Sequence, residues 1–590
     1  MIKKNNLLLV TTGLEDTWGR DEDILFLGEW CKRFSRKEVW QSRRSITQPF
    51  IWADRKKLST DHEYLENLHE RVLLWLVKEM NSLHEVNHPV RYWRIILGPW
   101  LLSYIPTIWD RWQSIENVLK ESKSLSTFIP TVDQSRPAAS DWRSSIRLMN
   151  DDEWNYMLFV QIIKTLGAKN IEFIEFFREQ KEIKTIDKIL PRSLKYKIGI
   201  FFDFVLSKFT FNNTYQFIIY HSYFSYKNLI KLFLGMKKIP RLFSEFDRSI
   251  QYPIFDGDFR NNINKEGEFY TSFEEFLIKI ISNDLPVAYA EGYKMLVDSI
   301  DNLPSAEVIM TANAHFGNEL FKVWSAEQTN RKSQLIISSH GGALPSLFAN
   351  FHHEEKISDT KIVWHKPYAD NHMQLPPQKI DKINNLTRKK ITLIGLDSSR
   401  YPYRVCTGPK GPLLLDDFNH KKDFIDGLDD KVRANFLVRP FPYKETRWET
   451  ADRYIERFGD SVITSNSRLL DDYQSSKLIV CSYPQTTFSE AMHSGIPTIL
   501  LYKESHWELH PLFSDLIRQL KSAKVIFSSA LEASSHVNLI QEDPSIWWNK
   551  IEVIEARKNF FDMCALTSKD PIKEWSNFLQ TTLQENKDIN

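Results

Sequence analysis

Glycine is scarce in this chain, 19 of 590 residues. That is well under the roughly 7% usual in globular proteins, which excludes collagen-like and glycine-linker architectures and leans toward helix. Cysteine is scarcer still. Cys31, Cys406, Cys481 and Cys564 are far apart with no CxxC pair, so neither a zinc ribbon nor a disulfide framework is expected, and a reducing, cytoplasmic compartment fits. Excess charge is also missing. Lysine and arginine total 77 against 76 aspartates and glutamates, a net charge of +1, which argues against a nucleic-acid binder whose affinity rests on phosphate neutralisation. No long apolar run stands out either. The longest aromatic-rich uncharged stretch, between Lys208 and Lys227, is broken by Asn212, Asn213, Gln216 and His221 and would make a poor membrane span. The basic start of the chain, with four apolar residues from Leu7 to Val10 before two threonines, reads as a first strand rather than a signal peptide.

What is present is a globular balance of 42% hydrophobic and 26% charged residues, with length for about four domains or for two large ones with insertions. Short β-branched runs alternate with helical segments, the pattern of parallel sheets in an α/β protein. In the first half, strands are expected at 7–10, 307–310 and 335–338. The intervening sequence, dense in Trp, Phe, Lys and Glu, has helical spacing at 64–83 and 271–282 and reads as helical insertions. The second half gives strands at 361–364, 391–396, 436–438, 461–463, 478–481, 498–502 and 525–527, with helices such as 449–458 and 487–493. The expected division is a first domain over 1–352, a second over 353–545, and C-terminal helices over 546–590 that pack back toward the first.

The stretch from Ser476 to Tyr502 carries the most chemistry. It reads as strand, polar loop, short helix, Gly495-Ile496-Pro497 turn and a second buried strand. Hydroxyls at Ser482, Thr486 and Thr487 would lie with free backbone N–H groups at a helix start, where the dipole favours phosphate. Glu490, one turn on, could accept hydrogen bonds from a polyol; the plainer alternative is an ordinary capped helix. In the strand ending Arg439-Pro440, the arginine is placed at the carboxyl edge of the sheet, where ligands of open α/β sheets bind. Lys444 adds charge nearby, and a surface ion pair is the competing role for Arg439. Ser339-His340-Gly341-Gly342 follows a strand directly, so the glycines allow a ligand close to the backbone, and His340 titrates in the range useful for acid–base work. Glu15 and Asp16, in the loop after the first strand, and Glu319 are carboxylates able to accept a proton; each alone is more often a surface or helix-terminal group. Asp21-Glu22-Asp23 and His352-His353-Glu354-Glu355 spell metal-ligand types without the spacing of a site. Both read as solvated, and no metal or cofactor is expected.

The Ser476–Tyr502 segment resembles the nucleotide-sugar segment of GT-B glycosyltransferases, notably bacterial capsule and O-antigen enzymes. Thr11-Thr12-Gly13-Leu14-Glu15-Asp16-Thr17-Trp18, the passage from Trp93 to Trp100, and Ser339-His340-Gly341-Gly342 resemble a family of bacterial surface-carbohydrate transferases. Arg439-Pro440 is similar to the His-Pro pair of CMP-sialic-acid and CMP-Kdo transferases, with arginine in place of histidine. These resemblances imply two Rossmann-like domains facing across a cleft, the first with large helical insertions. They also imply metal-independent transfer of a sugar, Kdo or a nonulosonic acid among the options, from a nucleotide donor to a glycan or lipid-linked glycan. Donor contacts would come from Gly341, Gly342, Arg439, Lys444, Ser482, Thr486, Thr487 and Glu490, and the base from Glu15, Asp16, Glu319 or His340. The expected location is cytoplasmic, at the inner face of the membrane if peripheral association occurs. The segment from Lys195 to Phe211 is able to touch such a membrane, although a packed amphipathic helix is its plainer reading. Two alternatives stand beside this: a CDP-polyol phosphotransferase, which shares the histidine-glycine turn, and a non-catalytic carbohydrate-binding protein of the same fold.

Overall fold

In the computed structural model, residues 7–131, 135–179, 199–201, 203, 205, 214–379, 389–442 and 447–589 are described. Their strands form three five-stranded sheets, parallel throughout. The first contains β1 (Leu7–Val10), β2 (Ile24–Phe26), β3 (Ser45–Thr47), β4 (Leu125–Pro130) and β5 (Ile171–Phe176), in the order β3-β2-β1-β4-β5. The second contains β6 (Thr214–Ile219), β7 (Ser305–Thr311), β8 (Gln334–Ser338), β9 (Thr360–Val363) and β10 (His372–Gln374), in the order β10-β9-β8-β7-β6. The third contains β11 (Lys390–Ile394), β12 (Phe436–Arg439), β13 (Ser476–Cys481), β14 (Thr498–Leu501) and β15 (Ile526–Phe527), in the order β12-β11-β13-β14-β15. Leu7–Val10 and Thr498–Leu501 are buried at every position, as expected where helices cover both faces of a parallel sheet.

The parallel α/β expectation holds, and the number of sheets is larger than the two anticipated. Between Val10 and Glu307 lie five strands, β2 to β6, that helical spacing alone did not reveal. They are only three to six residues long, and β5 reads Ile-Glu-Phe-Ile-Glu-Phe with no fully buried position. The strand expected at 361–364 pairs with β8, Ile336 opposite Thr360, so it extends the second sheet and does not open the third. The strand expected at 461–463 is a 3-10 turn over Asp460–Val462, joined to β12 by a single bridge between Val438 and Ile463.

Two long helices, Arg55–Leu83 and Val90–Glu121, run through the core shared by the first two sheets. Asp54 caps the first by accepting from the amides of Lys56 and Lys57 at 2.9 and 3.3 Å, satisfying two of the orphan donors at the helix start. The Trp93–Trp100 passage lies inside the second and is buried. A Cβ on Gly98 would stand 2.4 Å from the His353 ring, so glycine is required there by the closeness of the helix His353–Ile357. His352 is exposed as expected, but the solvated reading of the next three residues is corrected: His353 is 1% exposed, and the side chains of Glu354 and Glu355 are largely covered. Asp21 and Glu22 are exposed as expected.

The third sheet is tied to the first through one buried carboxylate. Asp152 accepts from the Gly13 amide at 3.2 Å, from Arg400 at 2.9 Å and the Tyr401 hydroxyl at 2.6 Å, and also pairs with Arg33. The C-terminal helix Pro571–Ile589 packs on the second sheet's layer: Trp575 donates to the Pro376 carbonyl at 2.9 Å and its ring meets Phe224. Among the described residues no helix is long and apolar enough to cross a membrane.

Burial also sets the acid limit of the fold. The imidazoles of His62, His84 and His365 are pushed down to about 4, first by desolvation. The unfolded chain therefore binds more protons between pH 6.5 and 4. The stability these groups contribute is complete above pH 6.5 and is lost as pH falls toward 4, by up to about 3 kcal/mol each. Thermal midpoints measured across this window should fall steeply, less so in His62→Gln; a flat profile between pH 7 and 5 would contradict the assignment.

Candidate active site

A cavity of about 540 Å³ opens where the carboxyl ends of the second sheet meet the third. Loops leaving β6, β7 and β8 supply His221, Asn313 with Asn318, and Ser339 with His340 and Gly341; the loop leaving β13 supplies Gln485 and Thr486. This is the edge at which parallel α/β sheets bind ligands. The seam is tight. Leu344 donates its amide to the Pro484 carbonyl at 3.3 Å, the Ser489 hydroxyl donates to the Gly342 carbonyl at 2.5 Å, and Ser346 bridges Leu509. A Cβ on Gly341 would meet Thr486 Oγ1 at 1.9 Å, whereas one on Gly342 meets only ordinary contacts with Trp364. Gly341 is thus the residue that lets the two sheets close. Gly341→Ala is expected to cost about 1–3 kcal/mol by overpacking, and Thr486→Ala in the same chain should recover most of it, as read by a double-mutant cycle of unfolding midpoints. Additive losses would show that the contact is not the cause.

The cavity's electrostatics favour an anion. Arg404 lines it with its Nε buried and unbonded, and its guanidinium lies over the rings of Tyr403 and Phe316 at 5.3 and 6.0 Å. No carboxylate pairs with it among the described residues. Arg143, also lining the cavity, donates to the Gly317 carbonyl at 2.9 Å. The helix Thr486–His493 begins at the cavity with no side chain capping it, leaving first-turn amides and the positive dipole end for a ligand. Glu354 is the carboxylate of the lining. Although burial raises its pKa, Lys361 at 2.9 Å and His315 at 3.2 Å hold it well below the usual range, so its charge is spent on them. His340 opens onto the cavity beside the Tyr223 ring. Desolvation, outweighing the pull of Glu354, lowers its pKa from 6.5, which favours the neutral imidazole that can accept a proton. Among the described residues, no three His, Cys, Asp or Glu side chains converge as metal ligands.

Of the residues expected from sequence, the structure brings His340, Gly341 and Thr486 together here. Ser482 and Thr487 lie just behind the helix start, their hydroxyls buried and unbonded; Gly342 holds the seam, and Glu490 is half-buried one turn along. Arg439 stands outside the cavity, bound to Asp472 at 2.7 Å and to the carbonyls of Asn466 and Ser467. Lys444 lies outside the described residues. Glu15 is gripped by two nitrogens of Arg36 at 2.7 Å, and Asp16 by Arg178 at 2.9 Å; both sit at the first sheet. Glu319 is shut behind the cavity wall, paired with Lys322 at 2.7 Å and bonded by the Trp142 amide and the Tyr289 hydroxyl. Arg404, Arg143 and Glu354 were not anticipated. Arg404 falls in an irregular stretch between β11 and the next helix, where periodicity says nothing, and only the fold carries it to the cavity.

The family model described as LIC12162 family transferase matches residues 7–579. No curated protein sequence matches the chain. Among solved structures, one titled as a trehalose-6-phosphate protein of E. coli bound with UDP-2-fluoro glucose is similar at 9% identity and a TM-score of 0.31, over 50% of this chain and 78% of its own. Acinetobacter baumannii MurG is similar at 9% identity and a TM-score of 0.29, over 62% of this chain and 99% of its own.

Proposed function

Because the chain belongs to the LIC12162 family of transferases, we propose that it is a glycosyltransferase that binds the phosphate of a nucleotide-sugar donor in the cavity between its second and third sheets. The observation that carries this reading is that Arg404, without a carboxylate partner among the described residues, lines the same cavity as the uncapped start of the helix Thr486–His493, a cavity of nucleotide-accommodating size. Breaking the bond between the sugar carbon and the donor phosphate leaves negative charge on the phosphate. Preorganised donors in a partly dry site stabilise such charge most effectively. Arg404, Arg143 and the first-turn amides are placed for that role. The acceptor hydroxyl oxygen forms the new bond to the sugar carbon, and its proton passes to an imidazole nitrogen of His340, the neutral base of the cavity. Glu15, Asp16 and Glu319 are each already ion-paired outside the cavity lining and do not take the proton in this account.

The donor and acceptor follow the same reading: Kdo or a nonulosonic acid carried on CMP, a bacterial surface glycan as acceptor, and reaction on the cytoplasmic side where activated sugars are available. A thermal-shift panel of CMP, CDP, UDP, GDP and dTDP tests it, since a ligand bound by the folded state alone raises stability by about 2.7 kcal/mol at a hundredfold excess over its Kd. Stabilisation by CMP supports the Kdo or nonulosonate donor, and by UDP, GDP or dTDP an ordinary hexose. A response confined to CDP, with phosphorus in the product, would replace sugar transfer by polyol-phosphate transfer. No response to any nucleotide at millimolar concentration would sink the donor site.

A further inference from the structure

The loop that brings His221 to the cavity and sets the Tyr223 ring beside His340 continues directly into the helix Tyr226–Gly235. Ser225 caps this helix by accepting from the Asn228 amide at 3.2 Å. One face, Leu229, Leu232 and Phe233, is buried, and the helix packs against the C-terminal helix Pro571–Ile589, so it is a fixed part of the fold. Its other face is unusual. Tyr226, Ile230 and Leu234, spaced four apart and so aligned on one ridge, are 47%, 47% and 61% exposed, and Ile239 just beyond is 57% exposed. A soluble surface helix normally turns such residues inward.

Charge accompanies the ridge. Lys227, Lys231, Lys237 and Lys238 are all exposed, and none has a carboxylate partner among the described residues. From Ser222 to Ser244 there is no aspartate or glutamate. The chain as a whole is almost neutral, at +1, so this is a local concentration of one sign. Apolar side chains in a row with lysines alongside, whose long stems keep the ammonium groups at the water boundary, match the chemistry of an anionic bilayer surface. There the apolar groups enter the acyl boundary and the lysines meet lipid phosphates.

We propose that the face of the helix Tyr226–Gly235, with Lys237, Lys238 and Ile239, docks the protein on an anionic membrane and sets the cavity mouth beside it. The first half of this inference is independent of the donor reading. The second rests on it, and implies that the acceptor is drawn from lipid-linked glycans at the same surface.

The test is co-sedimentation of the full chain with phosphatidylcholine vesicles, with and without phosphatidylglycerol, without nucleotide. Binding is expected only with phosphatidylglycerol at 0.1 M salt, weakening at 1 M as the Debye length shrinks from about 10 to about 3 Å. Each lysine near such a surface contributes roughly a factor of five, so replacing all four by alanine should lower partitioning by about 100-fold or more. Ile230→Asp with Leu234→Asp should abolish it. Both variants change exposed positions and should keep the parent's thermal midpoint and nucleotide response, which separates this proposal from the donor site. Equal partitioning of parent and variants would overturn the docking face, as would no vesicle binding by the parent. Self-association lost in Leu234→Asp, with no vesicle binding, would assign the ridge to a second copy instead.

Discussion

Arg404→Gln should remove nucleotide stabilisation and cut transfer by about 10²–10³-fold, the usual loss when one preorganised donor to developing charge is taken away, while leaving the fold intact. What Arg404 lacks decides this. It has no carboxylate partner among the described residues, and its Nε makes no hydrogen bond. Its guanidinium lies over the rings of Tyr403 and Phe316. A cation held partly dry without a counter-charge costs stability, so its removal should leave the unfolding midpoint unchanged or slightly higher. Activity lost with stability kept is the signature of a ligand-binding arginine. A fall in midpoint with unchanged activity would make Arg404 structural.

Arg439→Ala should give the opposite result, a destabilisation of about 3–5 kcal/mol with the nucleotide response retained in the molecules that fold. Asp472 has no exposed side-chain surface and relies on Arg439 for its counter-charge. It also accepts from Thr464 Oγ1 at 2.6 Å and Asn466 Nδ2 at 2.8 Å. Removing the guanidinium leaves a buried charge uncompensated, which costs far more than the pair contributes when intact. Asp472→Asn in the Arg439→Ala chain should recover part of the loss in a denaturant titration. If Arg439→Ala instead folds normally and loses nucleotide binding, the donor phosphate sits at the edge of β12.

These two arginines show how far the sequence could be read. Arg439 ends a regular strand, so its place at a sheet edge was legible; that its charge is already claimed by Asp472 was not, because the partner is brought to it by tertiary packing. Arg404 sits in irregular chain, where local pattern carries no information. His340, Gly341 and Thr486 were legible because strand–loop–helix passages have a fixed local geometry, and both loops lie at carboxyl ends of parallel strands. Their convergence belongs to the pairing of two sheets. That the first half of the chain holds two separate sheets escaped notice for a similar reason: β2 to β5 are short and embedded among long, strongly periodic helices, and β9 follows β8 by a stretch that looks like a boundary. The residues 352–355 looked solvated by composition, yet the glycine at 98 allows His353 into the core.

The account's central claim is that one cavity, at the facing edges of the second and third sheets, binds the donor phosphate. A crystal structure with whichever nucleotide shifts the melting most tests it directly. The phosphate should lie about 3 Å from Arg404 and the first amides of the helix Thr486–His493, with His340 on the open side. A phosphate bound at Arg439, or at the carboxyl edge of the first sheet near Glu15, would contradict it.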